Sequence, residues 1–387
     1  MNTRKNYNIG SRRLEIIKAL YMCGVVPYSS LAYMHYDTEM IRRVCKKMEK
    51  EGVIARHKIN NQKILVFNSY KDIEKIIPNI KDVVPKDYNE FYNNYSSKAR
   101  HSTLYHGDET TRERYLLNAD TLMFARYSGA VAYIDEKEPA GRLEDVIGNH
   151  NAYYTLRDLR HVYVTNDVQV VKDKTKQIVI NSRAAGVLVT EGDEAYPVYN
   201  IGKRTIKWSR TGEMGFLTRM QRIFREIGHT MGDDCIVIYK GHEGLDKILN
   251  YKKPRNYSTM NVDLTYEHMY FLPADTYGQL LMQMMMSKDW RDKALSYVLT
   301  EDQVRNSRKS TFQVDGYDTD NRIYYNVFCI PDMVHLKAFK NNADNIREKD
   351  RFVIYCFDFQ RKFIEDNFGE TATIREVDFK DFIINTK

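Results

Sequence analysis

The sequence predicts a mixed α/β fold with a small basic domain at its head. Two observations carry this. The first 68 residues read as helices followed by a hairpin, and hold thirteen Lys/Arg against five Asp/Glu. Beyond about residue 110, short apolar runs are each followed by an amphipathic stretch, as in layered strands and helices. The head's excess of eight positive charges exceeds the chain's net +7, so the rest is essentially neutral. A basic head on a neutral body suits a chain whose head touches a polyanion.

In the head, Ser11 can cap a helix through "RRLEIIKALYMCG", with Leu14, Ile17, Leu20 and Tyr21 on one face and Gly24 as its stop. Ser29 can start a short helix, "SLAYM". Asp37 then caps a third, in "DTEMIRRVCKKMEKEG", where Ile41, Val44, Cys45 and Met48 form one stripe at i, i+3, i+4 and i+7. Arg42, Arg43, Lys46, Lys47 and Lys50 take the rest of the circumference, and Gly52 ends the helix. "VIARHKINNQKILVF" reads as two strands around Asn60-Asn61.

That order is the order of a winged helix-turn-helix, with the third helix entering the major groove and the hairpin as wing. Thr38, Glu39, Arg42 and Arg43 lie at the helix end that meets base edges. Lys46 and Lys47 suit phosphates, and Arg56, His57, Lys58 and Lys63 reach backbone or minor groove from the wing. The alternative is a structural or protein-docking domain whose basic face is merely solvated.

The domain plan is therefore 1–68 for the winged helix, 69–110 for a helical connector, and 111–387 for an α/β body divisible near 230–260. In the body, "TTRERYLLNADTLMFARYSG" reads as an amphipathic helix, "AVAYI" as a strand and "YYTLRDLRHVY" as a helix. "RAAGVLVTEGDEAYPVYNIG" reads as a hairpin. "CIVIY", "YNVFCIP" and "RFVIYCF" are strands that precede helices, and "LLMQMMM" is core packing. No internal repeat or low-complexity tract is visible. No window has the eighteen or so apolar residues of a membrane span. The N-terminus lacks a secretory pattern, and five scattered cysteines suit reduced thiols, so the expected setting is cytoplasmic.

Absent motifs exclude several chemistries. There is no phosphate-binding G-x-x-x-x-G-K-[ST], no paired-histidine zinc motif and no His-x-His of rolling-circle relaxases. A carboxylate nuclease site would need clustered acids for Mg²⁺ and a lysine. The hairpin at 185–201 is the right kind of element, with Glu191, Asp193 and Glu194 in its turn and Lys203 just after it. However, "YPVYN" puts Val198 and Asn200 where acid and lysine belong. No catalytic or metal set is assigned, and Mg²⁺ enters only with a nuclease reading. Asp332 and Asp358 follow strand ends, where ligand sites lie, but helix N-capping is the favoured role.

With the winged helix at 11–68, "ERYLLNADTLMFARYSG", "YYTLRDLRH", the hairpin and the late "IPDMVHLKAF", the chain resembles the replication-relaxation family of plasmids and integrative conjugative elements. That family is similar to C-type mobilisation relaxases, which join a winged helix to a restriction-endonuclease-like core. The resemblance implies double-stranded DNA as partner, with other transfer or replication proteins, in replication or transfer initiation of a mobile element. It implies metal-dependent nicking only where the hairpin's acid-x-Lys pair is intact, and here it is not. The alternatives are a metal-dependent DNA nickase (relaxase) and a winged-helix transcriptional regulator.

Overall fold

The computed structural model describes residues 11–59, 61–68, 108–133, 136, 151–159, 182–192, 194–203, 210–226, 231–250 and 266–387. The fold is mixed α/β, with three sheets among these residues. The chain divides into two compact units, Met1–Val146 and Ile147–Lys387.

The first unit runs α1 (Ser11–Cys23), β1 (Val26–Pro27), a 3₁₀ turn (Tyr28–Met34), α2 (Thr38–Lys50), β2 (Ile54–Ile59), β3 (Gln62–Phe67) and α3 (Glu109–Tyr127). Helix α2 starts where Asp37 accepts a hydrogen bond from the Met40 N–H at 3.0 Å, satisfying an otherwise orphaned donor. Ile41, Cys45 and Met48 are buried on its inner face. Burial of Ile41 or Met48 stabilises by roughly 1.5–3 kcal/mol each. Gly24 and Gly52 follow α1 and α2 at φ +75° and +72°, a left-handed conformation that favours glycine. Strands β2 and β3 pair antiparallel, and β1 joins the far edge of β3 to give the order β1-β3-β2.

Helix α3 belongs to this unit and not, as the pattern suggested, to the body. Leu116 and Ala119 pack with Val25, Ile59, Ile64 and Val66 in one core. Asp120 is buried and accepts from Ser30 Oγ at 2.5 Å and Tyr33 Oη at 3.3 Å. All of residues 119–125 are buried, so α3 is a central helix and not a one-faced one. "AVAYI" forms no strand in the described residues; Val131 makes a single bridge. The expected connector falls almost entirely outside the described residues, as do His101 and His106.

In the second unit, β4 (Ala152–Thr155) takes the first three residues of the helix expected at "YYTLRDLRHVY". Its Tyr-Tyr-Thr run favours a strand, and β5 (Gly186–Val189) is there to pair with it. After β4 comes the expected helix, α4 (Leu156–Leu159), up to the end of the described residues there. Strand β6 (Ala195–Gly202), α5 (Arg210–Glu226), β7 (Asp234–Tyr239), α6 (Glu243–Leu249), β8 (His268–Pro273) and α7 (Thr276–Met285) follow. Helices α8 (Trp290–Val298) and α9 (Glu301–Asn306) lead to β9 (Gly316–Asp318) and β10 (Ile323–Val327). The chain ends with α10 (Met333–Ile346), β11 (Phe352–Phe357), α11 (Asp358–Phe368), β12 (Thr373–Val377) and α12 (Phe379–Thr386).

This unit contains a repeat that the sequence does not display. β5 pairs antiparallel with β6, then β7 and β8 add in parallel after one helix each among the described residues, and α7 closes the set. β9 pairs antiparallel with β10, then β11 and β12 add in parallel after one helix each, and α12 closes it. The registers match in detail. Tyr199 and Asn200 face Val237 and Ile238 across one pair; Tyr325 and Asn326 face Val353 and Ile354 across the other. Both asparagines are buried. The change of sheet falls between β8 and β9, later than the division expected near 230–260.

The two sheets meet where the segment after β10 comes onto the outer edge of β8. The Phe271 N–H donates to the Pro331 carbonyl at 2.8 Å, and Tyr270 and Asp332 form a bridge. Among the described residues no helix is long and apolar enough to cross a membrane. None of the five cysteines is paired with another in a disulfide.

Candidate functional site

The first candidate is the outer face of α2 with the β2–β3 hairpin. Thr38, Glu39, Arg42, Arg43, Lys46, Lys47, Arg56, Lys58 and Lys63 are all exposed. Their environments differ. Glu39 sits 3.6 Å from Arg42 and 3.5 Å from Arg43, so one carboxylate serves two guanidinium groups that remain 69% and 79% exposed. Arg56 pairs with Glu49 at 2.7 Å and lies over the Tyr28 ring, so it fastens the hairpin to α2. Lys46, Lys47, Lys58 and Lys63 have no acidic partner among the described residues. Lys58 and Lys63 are directly opposite across the strands. Like charges so placed repel and destabilise the pair unless an anion lies between or over them.

The second candidate, the β5–β6 turn, does not assemble. Glu191 is exposed, and its backbone N–H donates to Asn151 Oδ1 at 2.7 Å. Glu194 accepts from the Tyr196 hydroxyl. Asp193 lies outside the described residues. Lys203 is past the other end of the eight-residue β6, about 26 Å from the turn at strand rise. The hairpin therefore brings no lysine to the acids, because its two ends are a full strand apart.

The third was only partly legible in the sequence. It lies where the two sheets of the second unit meet. Asp332 caps α10 as expected, its Oδ1 accepting from Val334 N at 3.0 Å, and also from Met269 N at 3.2 Å. Its Oδ2 is 2.6 Å from His268 Nδ1. Arg291 Nη1 lies 2.6 Å from the other ring nitrogen, His268 Nε2. A guanidinium has donors only, so Nε2 accepts, and the ring carries its proton on Nδ1 and donates it to Asp332. On α10, His335 Nδ1 is 3.0 Å from Asp315 Oδ1, while Asp315 Oδ2 accepts from Val327 N at 2.8 Å. His335 Nε2 is 3.9 Å from Asp332 Oδ2, beyond hydrogen-bond reach. The two imidazole rings are 4.7 Å apart.

Electrostatics bind this group together. Burial works against a charged His335, but the hydrogen bond and charge of Asp315 and the charge of Asp332 outweigh it and raise its pKa. Burial likewise opposes ionised Asp315, and the His335 hydrogen bond reverses the outcome, lowering it. Asp234, paired in register with His268, is pushed up to about 6 by burial, with His268 and Arg291 opposing. The ligand-capable atoms of His268, Asp332 and His335 all lie within 4.8 Å of one another. Sequence reasoning singled out Asp332 but missed His268, Arg291 and His335. The one local signal was Asp332 and His335, three apart at a helix start.

No protein family, curated protein or solved structure matches the chain.

Proposed function

We propose that the protein binds double-stranded DNA through its first unit, folded as a winged helix, with α2 as the groove-entering helix and β2–β3 as the wing. The observation that carries this is the set of exposed lysines without acidic partners among the described residues, Lys46 and Lys47 on α2 and the opposed pair Lys58–Lys63 on the hairpin. A polyanion relieves their mutual repulsion and releases counterions on binding. Arg42 and Arg43, steered by Glu39 near the start of α2, are the side chains for base edges, where Arg reads guanine. From the resemblance to the replication-relaxation family, the setting proposed is replication or transfer initiation of a mobile element. The Glu191–Glu194 turn and Lys203, held apart by β6, give nicking no support.

The test is capture of fragments of the source genome by the full chain, with sequencing, then titration of the enriched fragment at several salt concentrations. Affinity falls with salt at a slope of about −0.9 per phosphate contacted. Reversing Arg43 and Lys47 to Glu abolishes binding. Salt-insensitive binding, or none, overturns the reading.

A further inference from the structure

We infer that His268, Asp332 and His335 form a binding site for a divalent transition-metal ion, Zn²⁺ foremost, in the second unit. Three features of the geometry support it. The donor set is two imidazoles and one carboxylate, which selects Zn²⁺ and its neighbours over Mg²⁺. Two of the three ligands are already oriented through their spare atoms: Asp332 by two backbone N–H groups on Oδ1, and His335 by Asp315 on Nδ1. A carboxylate on the far nitrogen of a histidine is the usual support of a metal ligand, fixing its tautomer and aim. Finally, His335 Nε2 makes no hydrogen bond among the described residues although it faces Asp332 Oδ2 at 3.9 Å.

The distances say what binding requires. Tetrahedral bonds of about 2.0–2.2 Å place neighbouring ligand atoms about 3.3–3.6 Å apart. Asp332 Oδ2 stands at 2.6 Å from one ring nitrogen and 3.9 Å from the other, on either side of that value. Equalising them takes a movement of at least about two-thirds of an ångström by Oδ2, from His268 toward His335, and the two imidazole nitrogens, within 4.8 Å of each other, must come to that spacing too. His268 must also present a lone pair on Nδ1. Its proton then moves to Nε2, where the Arg291 donor faces it, so Arg291 has to turn away. Arg291 and the metal thus compete for His268, with no net change in protons on that ring.

The experiment uses the full-length chain, treated with chelator and titrated with Co²⁺, whose visible ligand-field bands report four-coordination, then with Zn²⁺ to displace it. One equivalent of each is expected to bind, and Zn²⁺ but not Mg²⁺ to raise the melting temperature. His335→Gln loses the bands. Asp315→Asn, which keeps all three ligands, weakens binding by about 10–100-fold. Arg291→Gln tightens it on the order of tenfold, the effect of removing one nearby like charge. Should circular dichroism show His335→Gln unfolded, the last two variants decide. Absence of bands in the wild type, bands that survive in folded His335→Gln, equal stabilisation by Mg²⁺, or unchanged affinity in both Asp315→Asn and Arg291→Gln overturns the inference.

Discussion

On α2 of the first unit, Arg43 keeps 79% of its side chain exposed while 3.5 Å from Glu39. In the second unit, His335 meets Asp315 at 3.0 Å with both side chains under a tenth exposed. The two acid–base pairs are similar in length and opposite in consequence. In water the attraction is screened and largely cancelled by side-chain entropy, so an exposed pair is worth about 0–1 kcal/mol. In the interior each partner has given up its hydration, so breaking the pair leaves an uncompensated charge at a cost of about 3–5 kcal/mol. The first unit can therefore spend its charge on a partner without loss of fold. The second unit cannot lose its charges without loss of stability.

The largest expected effect sharpens this contrast. Asp332→Ala removes a cap, the acceptor for His268 and the counter-charge for Arg291, and should cost about 3–5 kcal/mol in urea unfolding. A loss below about 1 kcal/mol would place that network with surface pairs and break the comparison. Asp37→Ala comes next. It leaves the Met40 N–H at the start of α2 without its acceptor, at about 1 kcal/mol by the same measurement. The smallest effect belongs to Lys46→Ala with Lys47→Ala. Stability should change by no more than about 0.5 kcal/mol, while the salt slope of DNA binding falls by about 1 for each lysine. A larger stability change would mean that these side chains are part of the fold and not a free surface.

Local pattern made much of the first unit legible. The Asp37 cap, the Ile41–Val44–Cys45–Met48 stripe (Val44 only half-buried), the Gly52 stop and the Asn60-Asn61 turn each act over a few residues, and each is where the sequence put it, with Asn60 itself outside the described residues. α3 was misplaced because its partners, Ser30, Tyr33 and the β2–β3 core, lie some 50 to 90 positions earlier in the chain. The start of "YYTLRDLRHVY", Tyr153–Thr155, misled for a related reason. Its helical spacing lost to β5, a strand whose pairing is invisible until the sheet forms. The repeat in the second unit escaped notice because what the halves share is pairing sense and register, and only scattered residues such as Tyr199 with Tyr325 and Asn200 with Asn326.

By itself, the amino-acid sequence determined where charge is displayed. Helical spacing puts Arg42, Arg43, Lys46 and Lys47 opposite the apolar stripe of α2, and two-residue alternation across a two-residue turn puts Lys58 opposite Lys63. Only the tertiary structure decided where charge is buried. His268 opens β8, Arg291 sits in α8, Asp315 precedes β9, and Asp332 and His335 begin α10. Apart from the three-residue spacing of Asp332 and His335, nothing local relates these positions. They meet because the edge of β8 needs a partner for its backbone, and the segment after β10 supplies it.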